Sequence, residues 1–165
     1  MARVYESAHA VRNSIPAEKI VTLVGGSFDL LHVGHLHVLK YAKKLGGILV
    51  VCLLSDSNIK SYKGPNRPIV GEIYRARMLS ALGCVDRVYI SDIDTSHQDT
   101  LSILRPTNVV FGVDDTDYWR NIAEPREQSI RSQFPFVKIH YLERFPDGTI
   151  STSNIIQKII DIYHT

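Results

Sequence analysis

Apolar positions along the chain fall into short, nearly unbroken runs separated by longer stretches of helical period. Residues 20–24 (Ile-Val-Thr-Leu-Val) and 48–54 (Ile-Leu-Val-Val-Cys-Leu-Leu) fit strands buried on both faces, as in a parallel sheet covered by helices. Residues 87–90, 108–113 and 137–142 continue the series, the last alternating Val137, Ile139 and Tyr141 with Lys138, His140 and Leu142. Between these runs lie helical patterns. Residues 36–45 end at Gly46-Gly47. Residues 71–82 carry Ile73, Met78 (or Ala76), Leu79 and Leu82 as the expected buried stripe. A short helix over 100–104 must stop before Pro106. A helix over 127–133 is expected within 118–134, where Pro125 can sit near its start. The closing helix has Ile155, Ile156, Ile159, Ile160 and Tyr163 on one side. Residues 1–16 are weakly patterned and fit a short helix, or an arm packed on the body or on a second subunit. Alternating strands and helices predict an α/β fold: a doubly wound parallel sheet of five strands with helices on both faces. One domain spans 1–165, with an arm over 1–19 and a core over 20–160.

Composition narrows the function classes. The chain of 165 residues is 44% hydrophobic and 22% charged, ordinary for a globular domain with a real core. A net charge of +2 without any long Lys/Arg run gives no case for nucleic acid as a partner. The longest apolar run, residues 48–54, is far short of the ~20 residues of a membrane-spanning helix. The two cysteines, Cys52 and Cys84, sit among apolar neighbours and read as buried thiols in a reducing compartment. A cytoplasmic protein is expected.

The chemistry concentrates in Gly25-Gly26-Ser27-Phe28-Asp29-Leu30-Leu31-His32-Val33-Gly34-His35, between the first strand and the first helix. Such a turn leaves backbone N–H groups unpaired at a helix N-terminus, where the dipole also favours an anion, above all a phosphate. His32 and His35 stand where that anion would lie, and Gly34 between them allows close approach to the backbone. Two histidines three apart also suit a metal, although no acidic or Cys partner stands at a suitable local spacing. Asp29 could hold an imidazole, cap the turn or sit near a magnesium ion. Lys63, in the Gly/Pro-bearing stretch 62–68, could swing its ammonium over the site. Arg75 or Arg77 could point into it, and Arg144 is a further phosphate candidate. Ser151, Thr152 and Ser153 read as helix-capping residues and as a second phosphate site. Asp114 and Asp115 end a strand at the ligand edge, where they can accept from a base or a ribose. Tyr118 and Trp119 read as core or as a stacking surface, with core preferred.

The segment 25–35 closely resembles the signature of the cytidylyltransferase-like nucleotidyltransferases, the HxGH group. Ser55-Asp56, Lys63-Gly64, Arg75, the segment Gly112-Val113-Asp114-Asp115 and the stretch 147–156 resemble further family positions in family order. The resemblance covers about 20–160. It implies a Rossmann-like nucleotidyltransferase fold and transfer of a nucleoside monophosphate from ATP or CTP to a phosphorylated small molecule, with release of pyrophosphate. By it, His32 and His35 contact the α- and β-phosphates and Lys63 bridges the α-phosphate and the acceptor's phosphate. Gly26, Ser27, Phe28, Asp29 and Gly34 shape the nucleotide pocket, to which Asp114 and Asp115 also belong. Arg75, Arg144 and the Ser151, Thr152, Ser153 turn hold the triphosphate. The resemblance also implies Mg2+ carried on the triphosphate with few protein ligands, and a homodimer.

Residues 66–69, 79–82 and 153–159 look most like adenylyltransferases of heptose 1-phosphate. Asp114-Asp115 looks more like cytidylyltransferases of glycerol 3-phosphate and phosphoethanolamine. Val113 replaces a usual glycine, the turn after Arg144 is one residue longer than in the cytidylyltransferases, and 116–132 is longer than in the heptose enzymes. The leading expectation is therefore ATP with a sugar 1-phosphate. CTP with a phosphoalcohol is the alternative, and a non-catalytic nucleotide-binding module the reading from another class.

Overall fold

The computed structural model describes residues 2–113, 124–143 and 150–163. Its elements, in order, are β1 (Arg3–Tyr5), α1 (Ala8–Asn13), β2 (Val21–Gly26), α2 (Val33–Lys44), β3 (Ile48–Leu54), α3 (Asp56–Lys63) and α4 (Glu72–Ala81). They continue as β4 (Arg87–Ser91), α5 (Gln98–Leu104), β5 (Asn108–Val113), α6 (Glu124–Gln133), β6 (Lys138–Glu143) and α7 (Thr152–Tyr163). The strands form one sheet of six in the order β1-β4-β3-β2-β5-β6, and every pairing is parallel.

The apolar runs pair in the middle of the sheet and are buried on both faces. In β3, Val50 and Cys52 join a cluster with Val11 of α1, Leu101 and Leu104 of α5 and Ile130 of α6. Leu49, Val51 and Leu53 point the other way, to Leu39 and Ala42 of α2 and Ala76 and Leu79 of α4. The period of two along one strand thus feeds two cores. Burial pushes the Cys52 thiol up to about 11, while Cys84 is half-buried. The turn before β3 depends on Gly47: its φ is +76°, and a Cβ there would lie 2.1 Å from the Ile20 carbonyl oxygen. That carbonyl accepts from the Ile48 N–H at 2.8 Å.

Three expectations are corrected. The sheet has six strands, because residues 3–5 of the arm pair with β4 in register Arg3↔Arg87; three residues, of which only Tyr5 is partly buried, carry no strand pattern. The arm therefore packs on the body of its own chain. Residues 56–63, left without an element or assigned to a loop, form α3, whose N-cap Ser55 accepts from the Asn58 N–H. Its polar sequence hides the helix, since only Ile59 is buried. On α4 the buried face is Arg75, Ala76, Leu79 and Ser80, whereas Ile73 and Met78 are exposed. Asp114, Asp115, Tyr118, Trp119 and Arg144 lie outside the described residues.

Candidate active site

The order in which strands are added reverses between the neighbouring strands β2 and β5, since β3, β4 and β1 lie on one side and β5 and β6 on the other. In open parallel sheets a crevice opens at the carboxyl ends of the strands at such a switch point. A cavity of about 210 Å³ lies there. It is lined by Val24, Gly25 and Gly26 from the end of β2, Gly112 from β5, His32, Gly34, His35 and Val38 at the start of α2, and Ser151, Thr152 and Ser153 at the start of α7. Phe28, Lys63, Arg67 and Ile150 complete it.

His32 and His35 form a reciprocal cap. Nδ1 of His32 accepts the Gly34 N–H at 3.1 Å, and Nδ1 of His35 accepts the His32 N–H at 3.3 Å. Imidazoles do here what Ser and Glu do in a capping box. The rings stack with centroids 3.9 Å apart at 30°. With both Nδ1 atoms acting as acceptors, each neutral ring carries its proton on Nε2 and can donate it to an anion. Gly34 is required by this packing: a Cβ there would lie 2.9 Å from Cε1 and 3.0 Å from Nδ1 of His32. It makes room for the neighbouring imidazole as well as for a ligand.

Two helix N-termini converge on the cavity, and neither α2 nor α7 has an acidic side chain in its first turn. Acidic residues are favoured at that position, so these two positive helix ends remain available to an anion. At α7, the Ser151 hydroxyl accepts the Asn154 N–H at 3.1 Å, and the Thr152 hydroxyl donates to the Asp29 carbonyl at 2.7 Å. The first hydroxyl caps the helix, and the second fixes its start against the β2–α2 turn. Opposite them, Lys63 is the last residue of α3 rather than a loop residue. Its ammonium donates to Ser27 Oγ at 3.3 Å and lies 5.5 Å from the Tyr62 ring centroid. Ser27 Oγ also meets the Tyr62 hydroxyl at 3.0 Å. Ser27 thus positions Lys63 rather than lining the cavity. Phe28 and Leu30 both have φ of +47°, a conformation that costs side-chain-bearing residues about 1–3 kcal/mol each.

Arg75, expected to hold the triphosphate, and Asp29, expected in the nucleotide pocket, are both turned away from the cavity. Arg75 is 2% exposed and its guanidinium is surrounded by acceptors: Val70 O at 2.8 Å, Ser27 O at 2.5 Å, Leu54 O at 3.0 Å and Asp56 Oδ1 at 2.7 Å. It ties together the turn after β2, the junction of β3 with α3 and the segment before α4. Asp29 is 1% exposed, and its carboxylate turns to the 67–70 segment rather than to an imidazole. Its carboxylate accepts the Ile69 N–H at 2.9 Å and the Val70 N–H at 3.0 Å and pairs with Arg67 at 2.9 Å. Burial opposes its ionisation, but these donors outweigh that and hold it below the usual carboxylate range. Arg67 is the cavity residue that sequence reasoning missed; the Asn66-Arg67-Pro68 stretch drew notice only as a likeness.

A parallel α/β sheet thus gathers stacked imidazoles, a lysine and two helix N-termini around one cavity at its switch point. The chain belongs to the family described as Cytidylyltransferase-like, whose model matches residues 23–158. It is 39% identical over 145 residues to the bifunctional protein HldE of Syntrophotalea carbinolica, covering 88% of this chain and 28% of that protein. With HldE of Helicobacter pylori it shares 39% over 153 residues, 93% of this chain and 30% of the relative. The chain thus spans less than a third of these relatives. Among solved structures, the lipopolysaccharide core biosynthesis protein of Thermoplasma volcanium superposes with a TM-score of 0.62 at 31% identity, covering 77% of this chain and 98% of that one. The pantothenate synthetase of Thermus thermophilus, at 15% identity and TM-score 0.67 over 93% of this chain and 67% of its own, shares the fold.

Proposed function

We propose that this domain transfers the adenylyl group of ATP to a sugar 1-phosphate and releases pyrophosphate. The observation that carries the reading is the convergence of His32, His35 and Lys63 on one cavity between the N-termini of α2 and α7. The likeness of residues 66–69, 79–82 and 153–159 to heptose 1-phosphate adenylyltransferases supports the sugar phosphate, as does a relative named for lipopolysaccharide core synthesis.

In the proposed reaction an oxygen of the acceptor's phosphate forms a bond to the α-phosphorus while the bond from that phosphorus to the bridging oxygen breaks. The electron pair leaves with pyrophosphate. No side chain need take part covalently; the work is positioning and charge stabilisation. The Nε2 protons of His32 and His35 meet charge developing on the phosphoryl oxygens. Lys63, steadied by Ser27, draws two anionic phosphates together that would otherwise repel. The backbone N–H groups at the start of α7 hold the outer phosphates. Among the described residues no carboxylate lines the cavity, so a magnesium ion brought by the triphosphate would be held by phosphate oxygens and water. The proposal extends to a homodimer, supported by the exposed Ile159, Ile160, Ile162 and Tyr163 of α7, and to a reducing cytoplasm as the setting.

The test is pyrophosphate release with magnesium, each of the four nucleoside triphosphates, and a panel of sugar phosphates and phosphoalcohols. Release with ATP and one sugar 1-phosphate is expected. Release only with CTP and a phosphoalcohol overturns the substrate assignment. Nucleotide binding with no release across the panel overturns the enzymatic one.

A further inference from the structure

We propose that Arg67 is a phosphate-binding residue of the cavity and that Asp29 is the positioning residue that aims it; this rests on the nucleotidyltransferase reading of that cavity. Arg67 lines the cavity with the imidazoles and Lys63. Its side chain is 16% exposed, far less than a solvated loop arginine. Its Nε donates to Asp29 Oδ2 at 3.1 Å, and its Nη2 lies 2.9 Å from the same oxygen. Those contacts use one edge of the guanidinium. Among the described residues no acceptor besides Asp29 meets it. A guanidinium has five N–H donors in a planar fork that matches phosphate, so the rest are left for an anion in the cavity.

The contrast with Arg75 is direct. Arg75 has four protein acceptors and no place on the cavity wall; Arg67 has one acceptor and such a place. Burying Asp29 costs several kcal/mol unless its charge is paired and hydrogen-bonded. Two backbone N–H groups and a guanidinium meet that need. The same two N–H bonds clamp Ile69 and Val70, so Asp29 fixes the backbone just beyond Arg67 as well as its side chain. One buried carboxylate therefore sets both the position and the orientation of the cation.

The probe is inorganic pyrophosphate, titrated into the full chain by calorimetry at fixed ionic strength while arginine side-chain 1H–15N signals are followed. In the unsubstituted protein pyrophosphate binds and the Arg67 signal shifts. Arg67→Gln weakens binding roughly tenfold or more, as loss of a charge-assisted contact implies. Arg67→Lys recovers part of it, and the exposed control Arg77→Gln leaves it unchanged. Asp29→Asn, which keeps the Arg67 charge, raises the KM for a phosphate-bearing substrate; a merely structural Asp29 changes the melting temperature and leaves KM alone. Should Arg67→Gln leave Asp29 unpaired and the chain unfolded, the Asp29→Asn/Arg67→Gln double variant removes both charges and is titrated in its place. Unchanged affinity in a folded variant, or an Arg67 signal that does not move, overturns the proposal and leaves the function reading standing. A wild-type chain that binds no pyrophosphate overturns both.

Discussion

At the scale of single residues, similar side chains differ in role by what surrounds them. Arg75 serves three carbonyl groups and Asp56, so Arg75→Ala leaves several buried acceptors unmatched. A loss of about 3 kcal/mol or more is expected in urea unfolding. Gly34→Ala tests the imidazole stack. The added methyl meets His32 at 2.9 Å and must turn the ring off the Gly34 N–H. Alanine is also a better helix residue than glycine. Turnover on the order of 10²-fold lower is expected, with a melting temperature equal to or above that of the parent. His35→Ala is expected to reduce turnover far more than nucleotide affinity, read from steady-state kinetics beside equilibrium binding; equal losses would mean that His35 grips only the ground state.

At the scale of elements, α2 and α7 share a length of 12 residues but not a structural status. Leu39 and Ala42 of α2 are fully buried, whereas α7 buries none of its residues despite its strong apolar side. Leu39→Ala should cost about 2–5 kcal/mol in chemical unfolding through the cavity it leaves. Ile162→Ala should stay within about 0.5 kcal/mol at dilute concentration, as surface changes do. A larger loss that grows with protein concentration would show α7 covered by a second copy, and sedimentation equilibrium of both proteins tells the two apart. Element type was legible wherever the pattern was strong: β2, β3, β5 and the helices α2 and α4. It failed for β1 and α3. The first is held by pairing to β4, by Tyr5 on the core and by the Ala2 N–H on Ser80, and the second by its cap and by Ser57 and Asn58 bonding to Asp92. Neither device leaves a periodic trace.

At the scale of the whole molecule, stability should fall steadily towards acid. His140 is held below its ordinary value of 6.5 by burial and by Lys138, and its Nε2 meets Asn108 Oδ1 at 3.0 Å. The unfolded chain takes up that proton near pH 6.5 and the folded chain resists it, so stability declines as pH falls below about 6.5. Asp29 acts in the same direction at lower pH: its lowered folded value makes its contribution complete above about pH 4. That contribution is lost as pH falls through the folded value. Denaturant unfolding between pH 8 and 3 should show both steps, and His140→Asn should remove the upper one alone.

The sequence by itself determined the alternation of strands and helices, the parallel sheet and the turn that carries His32, Gly34 and His35. Each of these follows from contacts close along the chain: periodicity, caps, and glycine where no Cβ fits. Which cations face the cavity was decided only by tertiary structure. Arg67 and Arg75 differ by 8 positions, yet one borders the cavity and the other is enclosed by carbonyls of Ser27, Leu54 and Val70. Their roles depend on where distant acceptors are brought, Asp29 for one and Ser27, Leu54 and Asp56 for the other, and that placement exists only once the sheet has closed around its switch point.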